Sequence, residues 1–271
     1  MTELQNSLLD ILKWFNAFCE TNNLRYYLLG GTMLGAARHK GFIPWDDDID
    51  VGMPRKDYEK MIKILSGDNN RGKYVLETPD TPSKDFFYAF SKIYDTTTTL
   101  IENTKYKIKR GIYIDVFPLD GIGNSEEESK KNFKKVTFHY NMLLSRIGGI
   151  RKGRNWFKNV AVRFMRLVPS FILNDKKLLS KVVSTCKLYE YDNCSWVGNL
   201  LGAWRFKEIM PKEIIGEPTE YEFEGLKVSG VADADTYLTY LYGDWRKLPP
   251  KEKQVSHHDY IMLDLEKPYD S

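Results

Sequence analysis

LLGGTMLGAARHKGFIPWDDDIDVGMPR, residues 28–55, decides the fold. A short aromatic and aliphatic strand, Arg25–Leu29, stops at the pair Gly30-Gly31, where the chain turns into a short helix, TMLGAARHK. After a loop containing Gly41 and Pro44, DDDIDVGM is expected as a second strand, and Pro54 suits the first turn of a helix running to Leu65. Residues two apart on a strand project together, so Asp48 and Asp50 share a face. Such carboxylates repel each other unless a cation sits between them. Magnesium, or manganese in its place, takes one or two carboxylates and completes its shell with water and phosphate oxygens. The glycine pair supplies the complementary half, because a turn without β-carbons lets backbone N–H groups approach phosphate at a positive helix end. Thr32 adds a hydroxyl there, and Arg38, His39 and Lys40 at the far end of the helix are candidate phosphate contacts.

A later strand, GIYIDVF (residues 111–117), alternates apolar residues around one acid, Asp115, which is the candidate third metal ligand. A Gly-Gly-Thr or an acid-apolar-acid run is common by chance. Strand, Gly-Gly, helix, acidic strand and a third lone acid, in that order, is an arrangement that packing alone does not require.

Working outward, Leu4, Leu8, Ile11, Leu12, Phe15, Phe18 and Cys19 predict an amphipathic helix ending near Asn22 and Asn23. Strands are expected at Tyr74–Leu76, Phe86–Tyr94, Thr98–Ile101 and Gly111–Phe117, followed by a turn, PLDGIGNSEEES. Helices are expected at Ser125–Ile147, Arg154–Val168 and Asp175–Tyr189, then a hairpin, TEYEFEGLKVSG, a helix, DADTYLTYLYG, and a polar end. The chain therefore reads as α+β, a mixed sheet with flanking helices over residues 1–124 and a mainly helical half, 125–271, contributing to acceptor binding.

The 271 residues are 42% hydrophobic and 28% charged, the usage of an ordinary globular protein. Forty basic against thirty-seven acidic residues leave a net charge of +3, too small to imply nucleic acid as a partner. No apolar run approaches a membrane span, and the first residues lack a secretory pattern, so a cytoplasmic location is expected. Cys19, Cys186 and Cys194 lack the paired spacing of a metal site or disulfide framework.

The stretch 28–55, supported by GIYIDVFPLDGI and YLTYLYGDWRKLPP, resembles the LicD family, which is similar to nucleotidyltransferases of the polymerase-beta type. The resemblance implies transfer of phosphocholine, or in relatives glycerol phosphate or ribitol phosphate, from a CDP-alcohol to a glycan, with release of CMP. CDP-choline is the favoured donor, and a teichoic acid, lipopolysaccharide or capsule glycan, lipid-linked at the inner face of the membrane, is the implied acceptor. Fukutin-type ribitol phosphate transferases are distant relatives in the same sense. Asp48, Asp50 and Asp115 then correspond to the metal carboxylates, and Gly30, Gly31 and Thr32 to the donor-binding turn. Asp115 stands as either ligand or base. Three other functions stay open: the same reaction with CDP-glycerol or CDP-ribitol, nucleotidyl transfer to a small molecule or protein, and a non-catalytic glycan-binding relative.

Weaker signals carry a plain alternative beside each. Asp46 and Asp47 are expected as loop or supporting residues, and Asp120 as a turn residue. His257 and His258, near Lys251 and Lys253, either close over phosphate or belong to a solvated tail. Trp45, Tyr88, Tyr113, Trp204 and Trp245 either cage a trimethylammonium group or fill the core. Residues 151–181 hold nine basic residues and one acid. A helical projection gathers Trp156, Val160, Phe164 and Leu167 on one face and is expected to leave Lys158, Arg163 and Arg166 largely on the other. This is either a peripheral membrane helix or a core helix with a solvated basic back.

Overall fold

The computed structural model describes residues 1–67, 72–81, 85–102, 108–147, 156–169, 172–256 and 260–269; in helix 156–167 it omits the side chains of 157, 158 and 161. The first half comprises α1 (Glu3–Asn22), β1 (Tyr27–Leu28), α2 (Gly30–His39), β2 (Asp50–Pro54), α3 (Arg55–Gly67), β3 (Tyr74–Glu77), β4 (Ser91–Asp95), β5 (Thr99–Glu102), β6 (Lys109–Arg110) and β7 (Tyr113–Gly123). The second comprises α4 (Glu126–Ile147), α5 (Trp156–Leu167), α6 (Asp175–Cys186), β8 (Trp196–Gly198), β9 (Ile209–Pro211), α7 (Lys212–Ile215), β10 (Thr219–Phe223), β11 (Leu226–Gly230), α8 (Ala234–Tyr242) and β12 (Tyr260–Asp264).

The main sheet runs β1-β2-β7-β4-β3, with β8 added to β7 and β9 to β8. Only β2 and β7 pair in parallel; the other pairings in this sheet are antiparallel. The class is α+β with a mixed sheet, and the second half contributes strands as well as helices. One apolar cluster joins Leu12 and Phe15 of α1, Ile114 and Val116 of β7, Leu143 of α4 and Leu238 of α8.

Local chemistry sets the ends of the elements that matter here. Thr2 and Gln5 form a capping box at the start of α1, and Asn23 closes it with φ 50°. Gln5 uses its oxygen in that box and its nitrogen to reach the Asp46 carbonyl at 2.9 Å, so the first helix also holds the acidic loop.

Three expectations are corrected. The stretch from Phe86 to Phe90 precedes β4 instead of forming it, because Phe86, Tyr88 and Phe90 pack ring against ring. PLDGIG is not a turn. β7 continues to Gly123, changing partner from β4 to β8, and Pro118 falls between those two ladders, where a missing N–H breaks neither. Asp120 is thus a buried strand residue paired with Arg55 at 2.7 and 2.6 Å. The polar end contains β12, which pairs with β5 in a second small sheet.

The Arg55–Asp120 pair is withdrawn from water, with side chains 12% and 1% exposed. Removing one partner strands the other's charge. Asp120→Ala should therefore cost about 3–5 kcal/mol in urea unfolding, whereas Arg55→Met/Asp120→Leu should recover most of that loss. A single variant as stable as wild type would contradict this.

Candidate active site

The parallel register of β2 and β7 sets Asp50 opposite Asp115. On the other side of β7, Lys92 of β4 lies opposite Asp115, and Glu77 of β3 opposite Lys92. Register partners on neighbouring strands are about 4.8 Å apart and project from the same face. The sheet therefore carries one charged row, Asp50, Asp115, Lys92 and Glu77, across neighbouring strands.

Asp50 is gripped by its backbone. Its N–H donates to Thr32 Oγ1 at 2.9 Å, and its carbonyl accepts from the Leu29 N–H at 2.9 Å. Thr32 is buried, so the hydroxyl expected at the phosphate turn instead orients the acidic strand. Gly30 takes φ 50°, and its N–H donates to the Tyr237 hydroxyl at 3.0 Å. A β-carbon on Gly31 would stand 2.7 Å from Asp46 Oδ2, so that carboxylate lies over the turn and would have to swing aside for any side chain there. Asp47 reaches the other way, accepting a bond from the Ser256 hydroxyl.

These elements open into a cavity of about 360 Å³, with Gly30, Gly31, Asp48, Asp50 and Asp115 on one side. The opposite wall comes from the second half: Tyr140 of α4, then Asn199, Trp204, Arg205 and Glu208. Arg205 adopts φ 61°, a backbone that favours glycine, and is held by Asn141 Oδ1 at 2.9 Å. Arg38 and Lys40 lie elsewhere: Arg38 donates to the Trp245 carbonyl at 2.6 Å, and exposed Lys40 pairs with Glu222 at 3.3 Å. His257 and His258 lie outside the described residues.

Lys92 is 2% exposed and donates to Asp115 Oδ1 at 2.7 Å. Its ammonium lies 3.4 Å from the Tyr113 ring centroid and 4.4 Å from that of Tyr88. Both tyrosine hydroxyls donate to Glu102 at 2.6 Å. Tyr113 and Tyr88 thus do cage a cation, but the cation is the protein's own lysine. Of the other aromatic candidates, Trp204 lines the cavity, Trp245 is buried, and Trp45 packs against the core.

Charge crowding marks the site. Burial raises the proton affinity of Asp50 well above the carboxylate norm, and Asp48, Asp115, Glu208 and Asp46 raise it further. Burial also raises Asp115, against the opposing pull of Lys92. Glu208, 6% exposed, is pushed up to about 7 by burial, although the Trp204 N–H and the Asn199 side chain bind its carboxyl. This excess of negative charge around Asp50 is what a cation would relieve, and an oxygen-only donor set suits magnesium or manganese. Among the described residues no three His, Cys, Asp or Glu side chains form a group able to hold an ion unaided. The fit is therefore that of Asp48 and Asp50 working with substrate oxygens, beside an Asp115 that shares one oxygen with Lys92.

Sequence reasoning missed Lys92 and the far wall. A lysine inside the short strand SKIYD is a signal of the kind that singled out Asp115, and could have found Lys92, although Asp95 at the end of the strand leaves it less isolated. Glu208, Asn199 and Arg205 carry no such pattern, since only the folded loop brings them to the cavity.

Residues 23–145 match the family model described as LicD/FKTN/FKRP, nucleotidyltransferase domain. The lipopolysaccharide cholinephosphotransferase LicD of Haemophilus influenzae is 32% identical over 265 residues, covering 95% of this chain and 96% of that protein. The ribitol 5-phosphate transferase FKRP of Homo sapiens is 41% identical over 51 residues, 19% of this chain and 10% of that protein. An uncharacterised protein of Rickettsia typhi, RT0683, is 28% identical over 148 residues, 44% of either chain.

Glu208 makes folding depend on pH with a definite sign. Its folded proton affinity lies near 7 against an ordinary 4.5, so across that window the folded state keeps a proton the unfolded state has released. Stability attributable to Glu208 therefore falls as pH rises from about 4.5 to 7, by at most about 3 kcal/mol. Urea unfolding of wild type and Glu208→Gln at pH values bracketing this window should show a steeper decline in wild type; parallel curves would contradict it.

Proposed function

The chain belongs to the LicD family, and we propose that it transfers phosphocholine from CDP-choline to a hydroxyl of a cell-envelope or capsule glycan, releasing CMP. It is a phosphotransferase. The observation that carries the finer reading is a single cavity that brings the first turn of α2 against Asp48, Asp50 and Asp115. Similarity over nearly the whole chain to a lipopolysaccharide cholinephosphotransferase supports choline as the alcohol. The shorter similarity to a ribitol 5-phosphate transferase makes CDP-ribitol the second donor to test.

Asp48 and Asp50, with Asp115 beside them, would hold a magnesium or manganese ion, which would supply charge neutralisation at the donor diphosphate. The Asp46 carboxylate stands over Gly31, so phosphate oxygens reach the first backbone N–H groups of α2 once that flexible side chain swings aside. Asp115, one oxygen of which Lys92 binds, takes the part of a charge on the metal side. The acceptor enters along the wall of Tyr140, Asn199 and Trp204. Glu208 on that wall, with a proton affinity near neutrality, takes the hydroxyl proton as the acceptor oxygen bonds to the choline-bearing phosphorus. The bond from that phosphorus to the bridging oxygen breaks, and CMP leaves with the electron pair.

The test is a donor panel: CDP-choline, CDP-ribitol, CDP-glycerol and nucleoside triphosphates, each with a candidate glycan, with and without magnesium or manganese. CMP release from CDP-choline, dependent on the metal, is expected. Asp48→Asn and Asp50→Asn should each lower that release by at least about 100-fold with circular dichroism unchanged. Pyrophosphate release from a triphosphate would overturn the class of reaction, and near-normal turnover in either variant would overturn the role of these carboxylates.

A further inference from the structure

α5 turns its apolar side to water. Trp156 is 64% exposed, Phe164 68% and Leu167 81%, with Val160 on the same side. Val162, on the opposite side, is 4% exposed. The expectation of a core helix with a solvated basic back is therefore overturned. Arg163 also differs from expectation: it follows Val160 by three residues and precedes Leu167 by four, which puts it on the exposed apolar face, and it is itself exposed.

The outward setting is built in. Arg146, at the end of α4, is 1% exposed, and its guanidinium donates to the carbonyls of Met165, Val168 and Leu173 while pairing with Asp175 at 2.6 Å. It thus satisfies carbonyls at the C-terminal end of α5 that a helix leaves unmade. One buried side chain ties α4, α5 and the start of α6 together and holds the apolar face outward. An exposed face of this kind on a soluble-looking domain marks an interaction surface.

We propose that this face docks on an anionic lipid surface. Charge argues for that occupant. Arg163 stands exposed on that face, and the one acid of residues 156–181, Asp175, is spent on Arg146. Aromatic and aliphatic side chains around a central arginine suit the boundary of acyl chains and anionic headgroups. A second copy is the poorer partner, because a two-fold contact would set the same basic segment against itself. The location also serves the chemistry. Tyr140 on the cavity wall precedes Arg146 on the same helix by six residues, about 9 Å of helix axis. Docking through α5 would hold the acceptor wall near the membrane surface, whichever alcohol the donor carries.

Sedimentation with vesicles tests this on the full chain. Wild type should pellet with vesicles of equal parts phosphatidylcholine and phosphatidylglycerol, less so as salt rises, and not with phosphatidylcholine alone. Arg163→Glu should weaken binding by about tenfold. Phe164→Ser/Leu167→Ser should abolish it, with circular dichroism and release of CMP in a soluble assay both unchanged. Failure of wild type to bind anionic vesicles, or equal binding by the variants, would overturn the proposal. A concentration-dependent dimer that Phe164→Ser/Leu167→Ser dissolves, without vesicle binding by wild type, would assign the face to a second copy instead.

Discussion

The parallel pairing of β2 with β7 is the constraint on which the rest depends. It places Asp50 directly beside Asp115, so like charges meet in the lining of one cavity. Such crowding is costly, and the surrounding structure is arranged to hold it. Leu29 and Thr32 lock the Asp50 backbone, Gln5 holds the loop that leads into it, and Lys92 draws one oxygen of Asp115 into an ion pair. The lysine's position is no less constrained, with Tyr88 and Tyr113 against its ammonium and Glu102 beneath their hydroxyls. On the Asp50 side the proposed metal ion and the positive end of α2 would supply the opposing charge.

The two halves of the chain meet across this cavity. The first provides the acidic row and the glycine turn; the second provides Tyr140, Asn199, Trp204, Arg205 and Glu208. They are also joined by the sheet, since β8 extends the edge of β7 beyond Asp120. α5 packs against α4, the helix that carries Tyr140, and Arg146 of α4 binds its carbonyls, which makes its orientation part of the same framework.

Much of the first half was legible in the sequence because its signals are local. A glycine pair after an apolar run, an acid every second residue and an isolated acid in an apolar strand each report a backbone state and a direction of projection. The ends of α1, α2, α3 and α8 follow from caps and turn residues in the same way. The failures have physical causes too. Asp120 looked like a turn residue because proline and glycine flank it, and only the change of strand partner along β7 explains why they do not end the strand. Thr32 was placed on phosphate by its neighbours, yet its hydroxyl serves Asp50. Glu208 acts through contacts far apart in the chain, which no periodicity encodes. Arg163 was assigned to the wrong side of a helix whose two faces the burial of Val162 distinguishes.

The most direct measurement is calorimetric titration of the protein with Mn²⁺, with and without CDP as a diphosphate ligand, in wild type and in Asp50→Asn. Wild type should bind the ion, more tightly when the diphosphate is present, and Asp50→Asn should weaken that binding by more than about tenfold while its unfolding stays cooperative. Equal Mn²⁺ affinity in the two proteins, or binding indifferent to the diphosphate, would contradict a site in which the Asp50 row and the phosphate oxygens complete one another.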